Sequence, residues 1–346
     1  MTTASPPGAG LAALRAPRRA RAVALAVLAV VLAALVCLSV AFGSRDVGLD
    51  DIVAALAGST DGYDHAAVAK RIPRTLMAML AGAALAVAGA VMQGVTRNPL
   101  ADPGILGVNA GAALAVVVGM AWFSISTVGQ YIGAAIAGAA VTAVVVYVIG
   151  SLGRDGATPL KLALAGAAAS AALISLVNAV VLPRRDIADG AQSWQVGGVG
   201  GATTATITSV LPFLLVGFAV CFLAARGLNT LALGDDLATG LGEKVALTRA
   251  TASAGAVVLC GAVTAVTGPI GFVGLVVPHV VRLLAGPDHR WLLPLTALGG
   301  AALVTAADVL GRVVAPPAEI DVGIITALVG APFFIAIVRR QKVRAL

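Results

Sequence analysis

The sequence predicts an all-α polytopic membrane protein with about ten transmembrane helices, and three observations carry that prediction. Hydrophobic residues make up 59% of the 346 positions and charged residues 11%, against about 25% charged in soluble domains. The charges fall between long apolar runs, such as the uncharged stretches Thr75–Thr96 and Pro103–Gly153, and runs of about 20 residues cross a hydrocarbon core of about 30 Å as helices. Glycine is abundant, at 41 residues, which suits helices that pack in lipid through small side chains.

Each element is fixed by the charges and breaks at its ends. Met1–Arg21 is rich in Pro, Ala and Arg and is expected to be a disordered basic cytoplasmic extension. The first span, Ala22–Phe42, is longer than a signal-peptide core and lacks a small-residue cleavage site, so it is expected to stay uncleaved. The second is Ile72–Val95. Dense polar punctuation follows: Arg97, Asn98, Pro99, Asp102, Pro103, Gly104, Gly107. Asp102 before Pro103 pairs a side-chain cap with proline at the first helical position, so a helix start is expected there. The third and fourth spans are Gly104–Trp122 and Gly129–Gly150. GxxxG pairs at Gly107/Gly111 and Gly129/Gly133 fit either close helix packing or chance in a Gly/Ala-rich chain. Leu162–Pro183 and Ala205–Ala225 are the fifth and sixth. A Gly268-Pro269 break separates the seventh, Ala246–Thr267, from the eighth, Ile270–Leu284. Trp291–Leu310 and Val322–Val338 complete ten, with 341–346 as a cytoplasmic tail.

Ten spans place both termini on one side of a plasma or inner membrane. With that side cytoplasmic, 16 of the 23 Lys and Arg residues face the cytoplasm; Arg45, Lys70, Arg71, Arg74, Arg184, Arg185 and Arg312 do not. The bias follows the positive-inside rule, so the net charge of +7 is mostly topological. A nucleic-acid partner would need a soluble basic face, and the chain has no soluble domain to carry one.

Several chemistries are excluded by their missing motifs. There is no GxxxxGK[ST] phosphate cradle, no HExxH, no CxxC and no GxSxG. Cys37, Cys221 and Cys260 lie in apolar runs without metal-ligand spacing, and His65, His279 and His289 are scattered. Ionisable residues are almost absent from the spans, whereas an ion-coupled transporter generally carries intramembrane carboxylates as a relay. A secondary transporter with inverted repeats is therefore the weaker alternative. Energy from outside requires a docking element, and the segment 226–245 offers one. Leu233, Leu237 and Leu241 recur every fourth residue, with Asp235, Asp236 and Glu243 off that stripe. The pattern predicts short amphipathic helices ending at Gly242.

Longer motifs, in order along the chain, resemble the permease subunits of the ABC importers for iron-siderophore complexes, haem and cobalamin. They are RIPRTL (Arg71–Leu76), GAVMQGVTRNPLADPGILGVNAGA (Gly89–Ala112) and LALGDDLATGLG (Leu231–Gly242). GPIGFVGLVVPHVVRLLAGPDHRWLLP (Gly268–Pro294), ADVLGR (Ala307–Arg312) and LVGAP (Leu328–Pro332) follow. The resemblance implies the type II importer fold in a single permease domain over 22–340. It also implies a second permease subunit (the same chain or another), two ATPase subunits and an extracytoplasmic substrate-binding protein. ATP and Mg would bind the ATPase, leaving no cofactor in this chain. By the same resemblance, Leu233, Gly234, Asp235, Leu237, Ala238, Leu241 and Gly242 belong to the ATPase-coupling helices. Asn98 and Leu100 form the inner gate, and Arg71, Arg74 and Arg312 receive the binding protein. A second gate element is implied before the fifth span, where Thr158-Pro159-Leu160 replaces the small hydroxyl pair of the family pattern. The cargo implied is an iron-siderophore or related metal chelate, with haem and cobalamin as the alternatives.

Overall fold

The computed structural model describes residues 18–43, 48, 63–104, 106–152, 158–184, 194–316 and 318–344. Its helices are α1 Arg18–Ala41, α2 Tyr63–Thr96, α3 Val108–Trp122, α4 Val128–Ser151, α5 Pro159–Val181 and α6 Thr204–Leu223. They continue as α7 Ala225–Leu231, α8 Asp235–Gly240, α9 Val245–Thr267, α10 Val273–Ala285, α11 His289–Val314 and α12 Val322–Arg344. Seven are long and apolar enough to cross a membrane, and three shorter apolar helices (Val108–Trp122, Val273–Ala285 and Val322–Ala336) stand where the remaining three spans are expected.

Burial sorts these helices into a centre and a periphery. In α2, α9 and α11, 78%, 67% and 61% of the most apolar stretch is buried, against 17% in α1 and α5. The centre is built from small residues: Ala78, Ala81, Ala84, Ala86, Ala88 and Ala90 of α2 are all fully buried. Lipid tails are as apolar as leucine, so association in the bilayer depends on close backbone approach rather than on apolar burial. That approach is visible where α2 crosses its neighbours. A Cβ on Gly82 would collide with the Gly300 carbonyl of α11, and one on Gly89 with the Gly274 backbone of α10. The two GxxxG pairs divide cleanly. Gly111 packs on Gly138 and Thr142 of α4, and Gly107 lies against Thr142 and Ser170, whereas Gly129 and Gly133 face open space.

Three boundaries differ from the sequence expectation. The basic extension ends earlier than Arg21, because Arg18–Arg21 already belong to α1. Arg21 is buried: its Nε–H donates to the Ala285 carbonyl (3.2 Å), its Nη1 lies 3.6 Å from Asp288, and its guanidinium sits 5.8 Å from the Trp291 ring centre. Residues 1–17 lie outside the described residues. At the other terminus α12 runs to Arg344, through most of the expected tail. Finally, α3 begins at Val108 and not after Asp102. The Asp102 carboxylate accepts from Gly104 N–H (2.7 Å) and closes a turn only, because Gly107 takes a left-handed φ of 76° that interrupts helical register.

The short helices leave irregular backbone between the spans. At 13 residues, α10 is about 20 Å long, less than the hydrocarbon thickness. Non-helical backbone at that depth must be shielded by protein and internally hydrogen-bonded. At the Gly268–Gly271 break Ile270 is buried, Gly268 N–H donates to Thr264 O, and the Thr267 hydroxyl donates to Gly268 O.

Candidate functional site

Two short helices project at the end of the bundle that carries Arg21. Seven-residue α7 is pinned to α11: Asn229 Nδ2–H donates to Asp288 Oδ1 (2.8 Å), while Asn229 Oδ1 accepts from His289 N–H (2.9 Å) and faces His289 Nδ1 at the same distance. Partial burial pushes the Asp288 carboxyl up, but the bonds from Asn229 and Arg290 N–H and the charges of Arg21 and Arg290 outweigh it. The carboxyl is held below its ordinary range. Six-residue α8 follows. Gly234 at its N-cap has φ 103°, and Gly242 past its end has φ 85°. Gly242 N–H donates to Thr239 O and Glu243 N–H to Ala238 O, the paired bonds of a Schellman stop.

The leucine stripe points away from the protein. Leu233, Leu237 and Leu241 are 52%, 63% and 69% exposed, while Leu231 and Ala238 are fully buried. Of the residues expected to couple, Ala238 thus seats α8 on the bundle and the three leucines present an apolar edge. Asp235 sits between two cations. Arg249 of α9 grips it with two hydrogen bonds (2.9 and 3.1 Å), and Arg97, just past α2, approaches to 3.3 Å.

The expected gate turn begins at that arginine. Asn98 Oδ1 accepts from Leu100 N–H (3.0 Å), and Ala101 N–H donates to Asn98 O (3.1 Å), so the turn is held by its own bonds. Both Asn98 and Leu100 are half-buried. The second gate position is a helix cap: Thr158 Oγ1 accepts from Lys161 N–H (3.3 Å), with Pro159 at the first turn of α5.

The opposite end corrects the expectation of three rim arginines. Arg71 and Arg312 are buried, at 6% and 2% exposure, and turn inward. Arg71 donates to the Val40 and Ala41 carbonyls (2.9 Å each), and Arg312 to the Ser39 and Phe42 carbonyls (3.0 Å each) and Ser39 Oγ (2.7 Å). The reason is the end of α1, whose last carbonyls have no intrahelical donors and recruit guanidinium groups. Arg74 is the least buried of the three but still only 14% exposed, bonded to Asp308 (2.8 Å) and to the more exposed Glu319 (2.6 Å). Asp308 is fully buried between Arg74 and Arg312. The Asp308–Arg312 pair is an i,i+4 neighbour on α11, but no local spacing signals Arg74, which is 234 positions from Asp308.

Ten apolar helices, seven of them long enough to cross a membrane, and an exposed leucine edge beside α8 are the features of a polytopic membrane protein. Residues 31–340 match the FecCD transport family, and the chain belongs to that family. It is 42% identical over 322 residues to the ferric enterobactin permease FepD of Escherichia coli K12, covering 93% of this chain and 96% of the relative. It is 40% identical over 295 residues to the hemin permease HmuU of Yersinia pestis, covering 82% and 86%. Identity to the cobalamin permease BtuC of Halobacterium salinarum is 43% over 278 residues, covering 80% and 74%. Among solved structures, a metal-chelate type ABC transporter in an inward-facing conformation superposes with a TM-score of 0.78 at 28% identity, covering 92% and 99%. The chain is accordingly the permease subunit of an ABC importer, a transport subunit and not an enzyme.

Proposed function

We propose that this chain forms, with a second permease subunit, the import pathway for an iron-siderophore or closely related metal chelate. Two ATPase subunits would engage the cytoplasmic face, and an extracytoplasmic binding protein would deliver the cargo. The observation that carries the ATPase assignment is the exposed Leu233, Leu237 and Leu241 edge, on α8 and the turns that flank it. Apolar side chains at that face gain by burial in a partner groove, at about 1.5–3 kcal/mol for each one fully buried. In this reading both termini are cytoplasmic, in line with the Lys/Arg bias.

Asn98 and Leu100 form the cytoplasmic gate, on a turn braced by its own hydrogen bonds. The binding protein docks over Arg74, the least buried member of the arginine set. Arg71 and Arg312 act beneath it by fixing the outer end of α1. The chelate class is drawn from the ferric enterobactin relative. Haem and cobalamin are the competing cargoes, favoured by the HmuU and BtuC relatives. The test is uptake of labelled ferric siderophores, haem and cobalamin by a deletion strain with and without this gene. Uptake of haem or cobalamin without any ferric siderophore would replace the proposed cargo.

A further inference from the structure

The last turn of α2 holds an arginine where helices ordinarily hold glycine. Arg97 N–H donates to Gly94 O (3.3 Å) and Asn98 N–H to Gln93 O (3.1 Å), the paired bonds of a Schellman terminus with Arg97 at its left-handed position. Its φ is 50°. Left-handed backbone is disfavoured for a residue with a Cβ, and glycine takes the position at no steric cost. Glycine takes the corresponding position after α8, where Gly242 has φ 85°, while Ser124 after α3 and Phe272 before α10 are the other non-glycine residues with positive φ among the described residues. A side chain kept at a strained position points to a function for that side chain.

The side chain leaves the helix end towards α8. Arg97 Nη2 lies 3.3 Å from Asp235 Oδ1, and Nη1 is 3.7 Å from where a Gly234 Cβ would stand. Asp235 is itself held by the Arg249 fork from α9. One carboxylate in the first turn of the coupling helix thus joins the base of α9 to the end of α2. The residue after Arg97 opens the Asn98–Leu100 turn, which is braced internally. A displacement of α8 therefore bears on the residue that precedes this turn.

We infer that Arg97 and Asp235 form a charge clamp that transmits movement of the coupling helix to the gate turn, with Arg249 positioning the Asp235 carboxylate. The inference rests on the proposed docking and gate assignments. Both partners of the clamp are partly exposed, at 44% and 43%. Exposed pairs are weak, so the clamp biases an equilibrium and does not lock it.

The experiment uses the full chain assembled with its ATPase subunits in lipid nanodiscs. Leu100→Cys supplies the reporter in a Cys37→Ser background, since Cys221 and Cys260 are buried. Maleimide labelling is timed with and without ATP, Mg and vanadate, for Arg97, Arg97→Lys, Arg97→Gln and Arg97→Gly. Arg97→Lys should keep most of the nucleotide-driven change in labelling rate, and Arg97→Gln and Arg97→Gly should lose up to about fivefold of it, the scale of an exposed ion pair. A residue serving only as a helix stop predicts the reverse, with glycine equal to or better than arginine. A full nucleotide response in Arg97→Gly, or no advantage of lysine over glycine, overturns the clamp. Leu237→Asp is run beside these variants. Loss of ATPase co-purification there together with a wild-type response in Arg97→Gly removes the clamp and leaves docking standing, whereas retained co-purification removes both.

Discussion

Replacing Arg312 by methionine separates a structural brace from a surface docking charge. The guanidinium is 2% exposed and makes two bonds to the Ser39 and Phe42 carbonyls, one to Ser39 Oγ and an ion pair with Asp308 Oδ2 at 3.0 Å. Methionine fills a similar volume but returns none of these bonds. The carbonyls at the end of α1 lose their donors, and the fully buried Asp308 keeps only Arg74. Removing one partner of a buried ion pair costs about 3–5 kcal/mol, because the other charge stays desolvated. At about 2 °C per kcal/mol for a large chain, the midpoint of thermal unfolding in detergent should fall by about 6 °C or more. The assay is the loss of the monodisperse peak after heating. Adding Asp308→Asn to Arg312→Met should recover part of the loss, since the stranded carboxylate is then gone. Unchanged stability in Arg312→Met would refute the brace and return Arg312 to the rim.

Arg74→Glu should weaken complex formation with the cognate binding protein, more at low than at high salt, because a charge at a docking face acts mainly on encounter and is screened; unaltered salt dependence would count against docking there. Leu237→Asp should leave the protein inserted yet abolish association with the ATPase, as measured by co-purification. Gly82→Leu should prevent a stable fold, since the new side chain meets the Gly300 carbonyl, while Gly133→Leu should be tolerated because nothing lies within 4 Å of it; equal yields of the two would contradict the crossing. Asp288 contributes stability above its unfolded pKa and loses it as pH falls through its lower folded value. Acid-induced loss of stability below about pH 4 should therefore be shallower in Asp288→Asn, read from unfolding midpoints at stepped pH.

By itself the sequence determined the ten spans, because hydropathy and charge are local properties and a bilayer imposes a length on each apolar run. It also determined the leucine edge and the Gly242 stop, which are periodic and composed of neighbours in the chain. Helix starts were less legible. Asp102-Pro103 carries the local chemistry of a cap, but the left-handed Gly107 places the start of α3 at Val108. What only the tertiary structure decided is where the charges go. Arg71, Arg74 and Arg312 are the same residue type and all fall at span ends, yet two are drawn inward by the free carbonyls of α1 and the third pairs with Asp308 and Glu319. The Arg97–Asp235–Arg249 cluster joins three elements that the chain visits at positions 97, 235 and 249. No spacing encodes such long-range meetings: folding alone brings the partners within a few ångströms, and burial then penalises leaving the inward groups at the end of α1 unpaired, whereas the exposed Arg97–Asp235 pair is held only weakly.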